Sequence, residues 1–318
     1  MKYDLVVIFE HPEWQKPLFE ALQRRGTRFT AVDLKAGCFS DSELPLAPVY
    51  FNQASPSAYL RGNVRAVPFA LSLMRSLAYI GARVINGADV FALELSKSAQ
   101  ASLLRQLNIG TPNSVTFNDV GTLRSRNDLR FPALLKPEQG GSGARIELIE
   151  DLSALERHIE SHPETWLPDN LLLLQEFVPY DQEHGIVRME FVGGELLYSM
   201  RVVTHGRYNL CPSPICNPGN SEVQGACEGS QAAPPVEFYP FEAPTSAVEA
   251  GKRIIEAAGI EIGGIEYLEG LDGRRVFYDI NANSNLRPSI GDHFGIKPFE
   301  KVVDYLEEVI ERVNDRAI

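Results

Sequence analysis

The chain has 318 residues, 44% hydrophobic and 23% charged, which excludes a disordered or fibrous protein and allows two or three packed units. Thirty basic against 42 acidic side chains leave a net charge of −12, which repels a phosphate backbone, so no nucleic-acid partner is expected. Apolar runs such as Leu171 to Leu174 fall far short of the ~20 residues that cross a bilayer, and Asp4 behind Met1-Lys2 breaks a secretory leader, so the expectation is a cytoplasmic protein with no membrane partner.

Tyr3 to Phe9 reads as a buried strand, Glu13 to Arg25 as the helix after it, stopped by Gly26, and Arg28 to Asp33 as a second strand. This βαβ opening predicts an open α/β domain over 1–90, with a loop at 40–65, a helix around Ala70, Leu73, Met74 and Leu77, and a short strand Arg83 to Asn86. A helix over 96–108 ends at Gly110-Thr111-Pro112, and a linker follows. Beyond it come strand Phe131 to Lys136, a Gly-rich loop at 139–143, strand Arg145 to Ile149, a helix over 153–161 begun by Ser153, and strand Leu171 to Phe177. Gly185 to Phe191 and Glu195 to Val203 flank the two-residue hairpin turn Gly193-Gly194. Seven prolines within 205–245 predict a long irregular loop. Ala247 to Ala258 is helical with Gly259 as its stop, Gly264 to Glu269 and Arg274 to Asn281 form a hairpin around Leu271-Asp272, and Phe299 to Val313 is an amphipathic helix.

Lys136-Pro137-Glu138-Gln139-Gly140-Gly141-Ser142-Gly143 sets a lysine at a strand end with three glycines beyond it, so backbone N–H groups can approach phosphate oxygens without a Cβ in the way. The spacing is neither a Walker A loop nor a dinucleotide fingerprint, and a Gly-rich hairpin standing alone is more often just a turn. Lys97, opening the helix before it, supplies a second cation, and two cations on a polyphosphate are a common clamp. In the late hairpin, symmetrical pairing sets residue i against residue 543 − i, which places Glu266 opposite Phe277, shares one face among Glu266, Asp279 and Asn281, and leaves Tyr278 and Ile280 on the buried face. Two carboxylates and an amide oxygen suit Mg²⁺ held jointly with phosphate oxygens; the competing reading is a solvated face of alternating polarity.

Other residues carry weaker signals. Cys38, Cys211, Cys216 and Cys227 are too sparse for a disulfide scaffold, and C-x4-C-x10-C lacks the short knuckle of a zinc site. Arg287 and Arg207 have the fork that grips a carboxylate, while His205 is either a proton acceptor or an ordinary loop histidine. His11-Pro12-Glu13-Trp14 follows the first strand, at the sheet edge where open α/β folds bind ligands.

In this order the motifs resemble the ATP-grasp ligases: Asn86 to Lys97 before a helix, a Leu-Lys-Pro strand with a Gly-rich loop, Gln175-Glu176-Phe177-Val178 as an interlobe hinge, and Asp279-Ile280-Asn281-Ala282-Asn283 near the end. The resemblance covers roughly 86–290 and implies an α/β fold with α+β lobes: a pre-ATP-grasp domain at 1–90, a central lobe at 91–178 and a C-terminal lobe with a metal site at 179–318. It implies ATP phosphates on Lys97 and Lys136 under Gly140, Gly141, Ser142 and Gly143, adenine at Glu176, Phe177 and Val178, and ribose near Glu183. It also implies two Mg²⁺ ions, with Mn²⁺ able to substitute, on Glu266, Asp279 and Asn281. The flavour is that of ribosomal protein S6 modification enzymes and glutathione synthetase, in which an arginine after the hinge faces the phosphate or acyl group; Arg188 and Arg201 occupy comparable strands, and Arg287 joins them as a catalytic candidate. The segment Asn283-Ser284-Asn285-Leu286-Arg287-Pro288 and the loop at 205–245 depart from the family where substrate lies.

The expected reaction activates a small, amino-acid-like acid as an acyl phosphate, which an amine then opens to an amide with release of ADP and phosphate. Phosphoryl transfer needs charge neutralisation and in-line positioning rather than a protein nucleophile. A kinase acting on a hydroxyl and a nucleotide-binding protein without turnover are the alternatives. The expected partners are a small acid and a small amine, and a homodimer is left open.

Overall fold

A computed structural model describes residues 2–141, 143–206, 208, 236–284 and 286–316. Three sheets carry the chain, and each has its own apolar core.

The first sheet holds β1 (Leu5–Phe9), β2 (Phe29–Asp33), β3 (Val49–Gln53) and β4 (Arg83–Ile85), all parallel in the order β2-β1-β3-β4. Helix α1 (Pro12–Arg25) connects β1 to β2 and ends at Gly26, whose φ of 75° is the left-handed stop that glycine takes without strain. Helix α2 (Ala66–Tyr79) buries Ala70, Leu73, Met74 and Leu77, the spacing that predicted it. Strand β3 corrects the loop expected at 40–65: it is a central strand with all five residues buried. Its apolar run, Val49-Tyr50-Phe51, is short and closed in by Pro48 and Pro56, so it carries no periodic signal.

Helices α3 (Ala88–Leu95) and α4 (Lys97–Gln106) lead to the second sheet, whose strands β5 (Ser114–Phe117), β6 (Ala133–Pro137), β7 (Glu147–Ile149) and β8 (Leu172–Glu176) run antiparallel in the order β5-β8-β6-β7. Strand β5 replaces the expected linker. Helix α5 (Leu152–Ser161) is capped by Asp151, which accepts the Ala154 N–H at 2.7 Å, rather than begun by Ser153.

The third sheet, order β11-β10-β9-β12-β13, is antiparallel and contains β9 (Ile186–Val192), β10 (Glu195–Val203), β11 (Glu237–Phe241), β12 (Ile262–Glu269) and β13 (Arg275–Asn281). Gly193 and Gly194, with φ of 62° and 84°, form the β9–β10 turn. Strand β11 occupies part of the loop expected at 205–245; Arg207, Cys211, Cys216 and Cys227 lie outside the described residues. Helix α6 (Thr245–Ala258) lies against this sheet, where a Cβ on Gly251 would come within 2.7 Å of Phe191 and 2.8 Å of Met189. Two helices finish the chain, α7 (Pro288–His293) and α8 (Pro298–Arg316). Val302, Val303, Leu306, Val309 and Ile310 of α8 pack into the core of the first sheet, and Arg24 and Arg25 of α1 pair with Glu300, Asp304 and Glu307. The far end of the chain thus covers the first domain, so the 179–318 unit does not keep to its own core.

The β12–β13 register corrects the symmetrical one. Tyr267 pairs with Phe277, but Glu266 pairs with Asp279 and Gly264 with Asn281, because a bulge leaves Tyr278 unpaired. The turn is also wider than two residues, since the Gly270 N–H meets the Arg274 carbonyl at 2.8 Å. Glu266, Asp279 and Asn281 still share one face, because the slip amounts to two residues and side chains alternate with a period of two. Tyr278, expected on the buried face, is instead turned by the bulge to the same side, where its hydroxyl donates to Glu266 Oε2 at 3.1 Å.

Candidate active site

The site begins at the α4 N-terminus. Ser96 caps the helix by accepting the Ala99 N–H at 3.1 Å, and Glu138, from the end of β6, accepts the Ser98 N–H at 3.1 Å and the Ser96 hydroxyl at 2.7 Å. These bonds tie the loop after β6 to α4. Lys97 therefore projects beside that loop, where its Nζ pairs with Asp279 and meets Gln100 Oε1 at 3.3 Å. Lys136, on β6, donates to Gln175 Oε1 at 2.7 Å and stands 5.6 Å from the centroid of the Tyr278 ring. Burial, with the Lys97 charge beside it, pushes the Lys136 pKa down to about 8.

On the facing sheet, Arg188 donates to Glu190 at 2.5 Å and to Glu266 at 2.8 Å, lying over Gly264, where a Cβ would be 2.6 Å from its Nη2. Burial opposes the Arg188 charge, but Glu190 and Glu266 outweigh it and hold its pKa above the usual value. Burial, and then the nearby Asp279 charge, raise the pKa of Glu266. For Asp279 burial also works upward, but the Lys97 charge and hydrogen bond prevail and lower it. Two mutually repelling carboxylates in register with each other, beside Asn281, which carries an amide oxygen, are the oxygen donors a hard divalent cation takes. Among the described residues no group of three His, Cys, Asp or Glu side chains could hold a metal.

Two cavities meet at this point. The first, about 110 Å³, is a slot walled by Leu134, Ile146, Phe177, Val178 and Leu268 with Lys97 and Lys136 at its polar end. The second, about 380 Å³, is bordered by Arg188, Asn281, Asn283, Ser284 and Arg287. Lys97, Gly140, Gly141, Gly143, Glu266 and Asp279 border both.

Of the residues singled out in the sequence, Glu176, Phe177, Val178 and Lys136 line the first cavity, Arg188, Asn281 and Arg287 the second, and six line both; Ser142 lies outside the described residues. Two others are not brought there. Glu183 is exposed in the turn after Asp181, which accepts its N–H at 2.9 Å. Arg201 pairs across the sheet with Val187 while Arg188 pairs with Met200, so Arg201 faces the opposite side, 4.4 Å from the Phe241 ring centroid. His205 lies 3.7 Å from Glu237 and borders neither cavity. Sequence reasoning missed Tyr278, which only the bulge turns inward, and Gln175 and Glu138, which act through partners distant in the chain. It also missed Glu94, buried and bordering the second cavity, whose pKa burial raises to about 8.

No family model matches the chain. N5-carboxyaminoimidazole ribonucleotide synthase of Synechococcus elongatus is 27% identical over 154 residues, 47% of this chain, and the match spans only 38% of that protein's length. Solved structures align over nearly the whole chain. The ATP-grasp ligase PsnB complexed with its minimal precursor matches with a TM-score of 0.66 at 17% identity over 97% of this chain and 99% of that one. A RimK-domain ATP-grasp protein from Sphaerobacter thermophilus gives 0.66 at 18% identity over 95% and 98%. D-alanine–D-alanine ligase from Bacillus anthracis gives 0.66 at 13% identity over 99% and 100%. A parallel sheet followed by two antiparallel lobes that close on a lysine-lined slot, aligned end to end with these proteins, is the ATP-grasp fold, and this chain has it.

Proposed function

We propose that the protein is an ATP-dependent carboxylate–amine ligase acting on a small, amino-acid-like acid. The observation that carries this reading is the junction of the two cavities, where one lysine, two carboxylates and three glycines border an apolar slot on one side and a larger chamber on the other. A phosphoryl group passing between two substrates needs such a place, and a pure binding module does not. The apolar slot takes the adenine against Phe177 and Val178. Lys97 and Lys136 neutralise phosphate charge, and the backbone N–H groups of Gly140, Gly141 and Gly143 approach the phosphates. Glu266, Asp279 and Asn281 would hold Mg²⁺, which when bound offsets the charge building on the transferred group.

In the chamber Arg287 draws the substrate carboxylate. Its Nε is buried without a partner, and burial followed by the Arg188 charge lowers its pKa to about 10, so an incoming carboxylate relieves both penalties. Arg188, fixed by Glu190 and Glu266, faces the same chamber and stabilises the oxyanion as the amine adds to the acyl phosphate. Inorganic phosphate then leaves. PsnB forms a complex with a precursor peptide; here the chamber's volume favours a free small acid.

The test is phosphate release. ADP and inorganic phosphate are expected together, only when acid and amine are both present, with ¹⁸O from the acid's carboxylate recovered in the phosphate. A phosphorylated product without free phosphate would assign a kinase instead.

A further inference from the structure

The second cavity has both polar and apolar lining. Five of the nine buried polar atoms left without partners among the described residues belong to residues that border it: Gln15 Oε1 on α1, Glu94 Oε2, Asn281 Nδ2, Ser284 Oγ and Arg287 Nε. Buried polar atoms are normally paired, so a concentration of unpaired ones in one chamber marks what a ligand supplies. The set holds both donors and acceptors. No carboxylate among the described residues pairs with Arg287, whose guanidinium lies 3.2 Å from the centroid of the Phe238 ring.

The apolar lining is one packed cluster drawn from the first domain, the segment before α7 and the C-terminal helix. Leu18 on α1, Phe51 on β3 and Val302 on α8 are core residues that also border the cavity, and Trp14, Leu286 and Phe299, half-buried, stand around them. Trp14 is held by two further contacts. The His11 ring stacks on it at 4.3 Å between centroids, and the Arg61 guanidinium lies 4.8 Å from its ring, itself fixed by a buried ion pair with Glu10. The recess is therefore a continuation of a packed core, walled by fixed side chains, and its chamber of about 380 Å³ exceeds what alanine or serine would fill.

Resting on the ligase reading of the same site, we propose that the amino acid held in this chamber has a large apolar side chain, of leucine or phenylalanine size. That side chain lies in the recess between Trp14, Leu286 and Phe299, and the carboxylate lies at Arg287. Small and charged amino acids are disfavoured, the former because they leave the recess unfilled and the latter because nothing apolar can pair their charge.

Calorimetric titration of single amino acids into the full-length protein saturated with Mg²⁺ and a non-hydrolysable ATP analogue reads this without requiring turnover. Leucine and phenylalanine are expected to bind at least about tenfold more tightly than alanine, serine or glutamate, the discrimination that a few methylenes give in a hydrophobic pocket. Phe299→Ala should erase most of that preference while the analogue's own Kd stays put, which shows that the variant is folded; Leu286→Ala serves as the second probe. Equal or weaker binding of leucine and phenylalanine, or no binding of any amino acid, overturns the inference. Apolar preference in binding without phosphate release from any acid and amine pair leaves the inference standing and removes the ligase reading; phosphate release with alanine or glutamate as good as with leucine does the reverse.

Discussion

Asp279 and Glu266 sit side by side in the register, yet their substitution has different expected consequences. Asp279 is partly open to the cavities, so Asp279→Ala and Asn281→Ala should abolish phosphate release while leaving the melting temperature within a few degrees of the parent. Glu266 is 1% exposed and anchors Arg188, so Glu266→Ala leaves a buried guanidinium with Glu190 alone and should cost about 3–5 kcal/mol of stability as well as activity. Thermal melts beside phosphate assays separate the two, and full activity of Asp279→Ala at saturating Mg²⁺ would remove the metal assignment. Lys136 brings a pH dependence. With its pKa lowered to about 8, ATP affinity should fall as pH rises through that value, by one to two decades, as a charge-assisted contact worth roughly 1.5–3 kcal/mol is lost. The unfolded chain keeps that proton up to ~10.4, so the burial of this charge costs stability in full below about 8, and that cost is relieved as pH rises from there to ~10.4. Titrating an ATP analogue across this range checks it, and Lys136→Arg should flatten the profile.

At the scale of elements, two close approaches set the site's shape. Gly264 on β12 leaves room for Arg188, and a Cβ 2.6 Å from its Nη2 would displace the guanidinium. Gly264→Ala should therefore cost about 1–3 kcal/mol by overpacking and lower phosphate release at least tenfold. Gly141 lies where the loop after β6 meets the first domain: its Cβ would fall 2.7 Å from Ser57 Cβ and 3.0 Å from the Ser57 backbone nitrogen. The Gln139 side chain reaches the Pro56 carbonyl at 3.2 Å across the same seam. Gly141→Ala should push the loop off that seam, raising KM for ATP with little change in the melting temperature, since only an edge contact is lost; an unaltered KM would show that the loop does not need this seat.

For the whole molecule, the C-terminal helix is the element with the widest reach. Five buried aliphatic side chains of α8, each worth about 1.5–3 kcal/mol, close the first domain's core, and together they match the 5–15 kcal/mol by which a whole protein is stable. Truncation before Pro298 should accordingly unfold the first sheet and remove the recess beside Phe299, a loss that circular dichroism and hydrogen exchange over 5–33 would register. Protection at the parent level there would place the closing contacts elsewhere.

Much of this was legible in the chain itself, because it rests on local rules. The spacing of Ala70, Leu73, Met74 and Leu77 made a helix, Gly193-Gly194 a hairpin turn and Gly26 a helix stop, and the period of two set Glu266, Asp279 and Asn281 on one face even when their register was misjudged. What tertiary structure alone decided depends on partners far apart in sequence. Strand β3 is a strand because its neighbours β1 and β4 complete its hydrogen bonds, not because five residues between prolines announce one. Arg201 and Arg188 look equivalent until pairing sends them to opposite faces. Tyr278 enters the site through a bulge that no periodicity encodes, and the apolar recess exists only because α8 returns to α1 across the length of the chain.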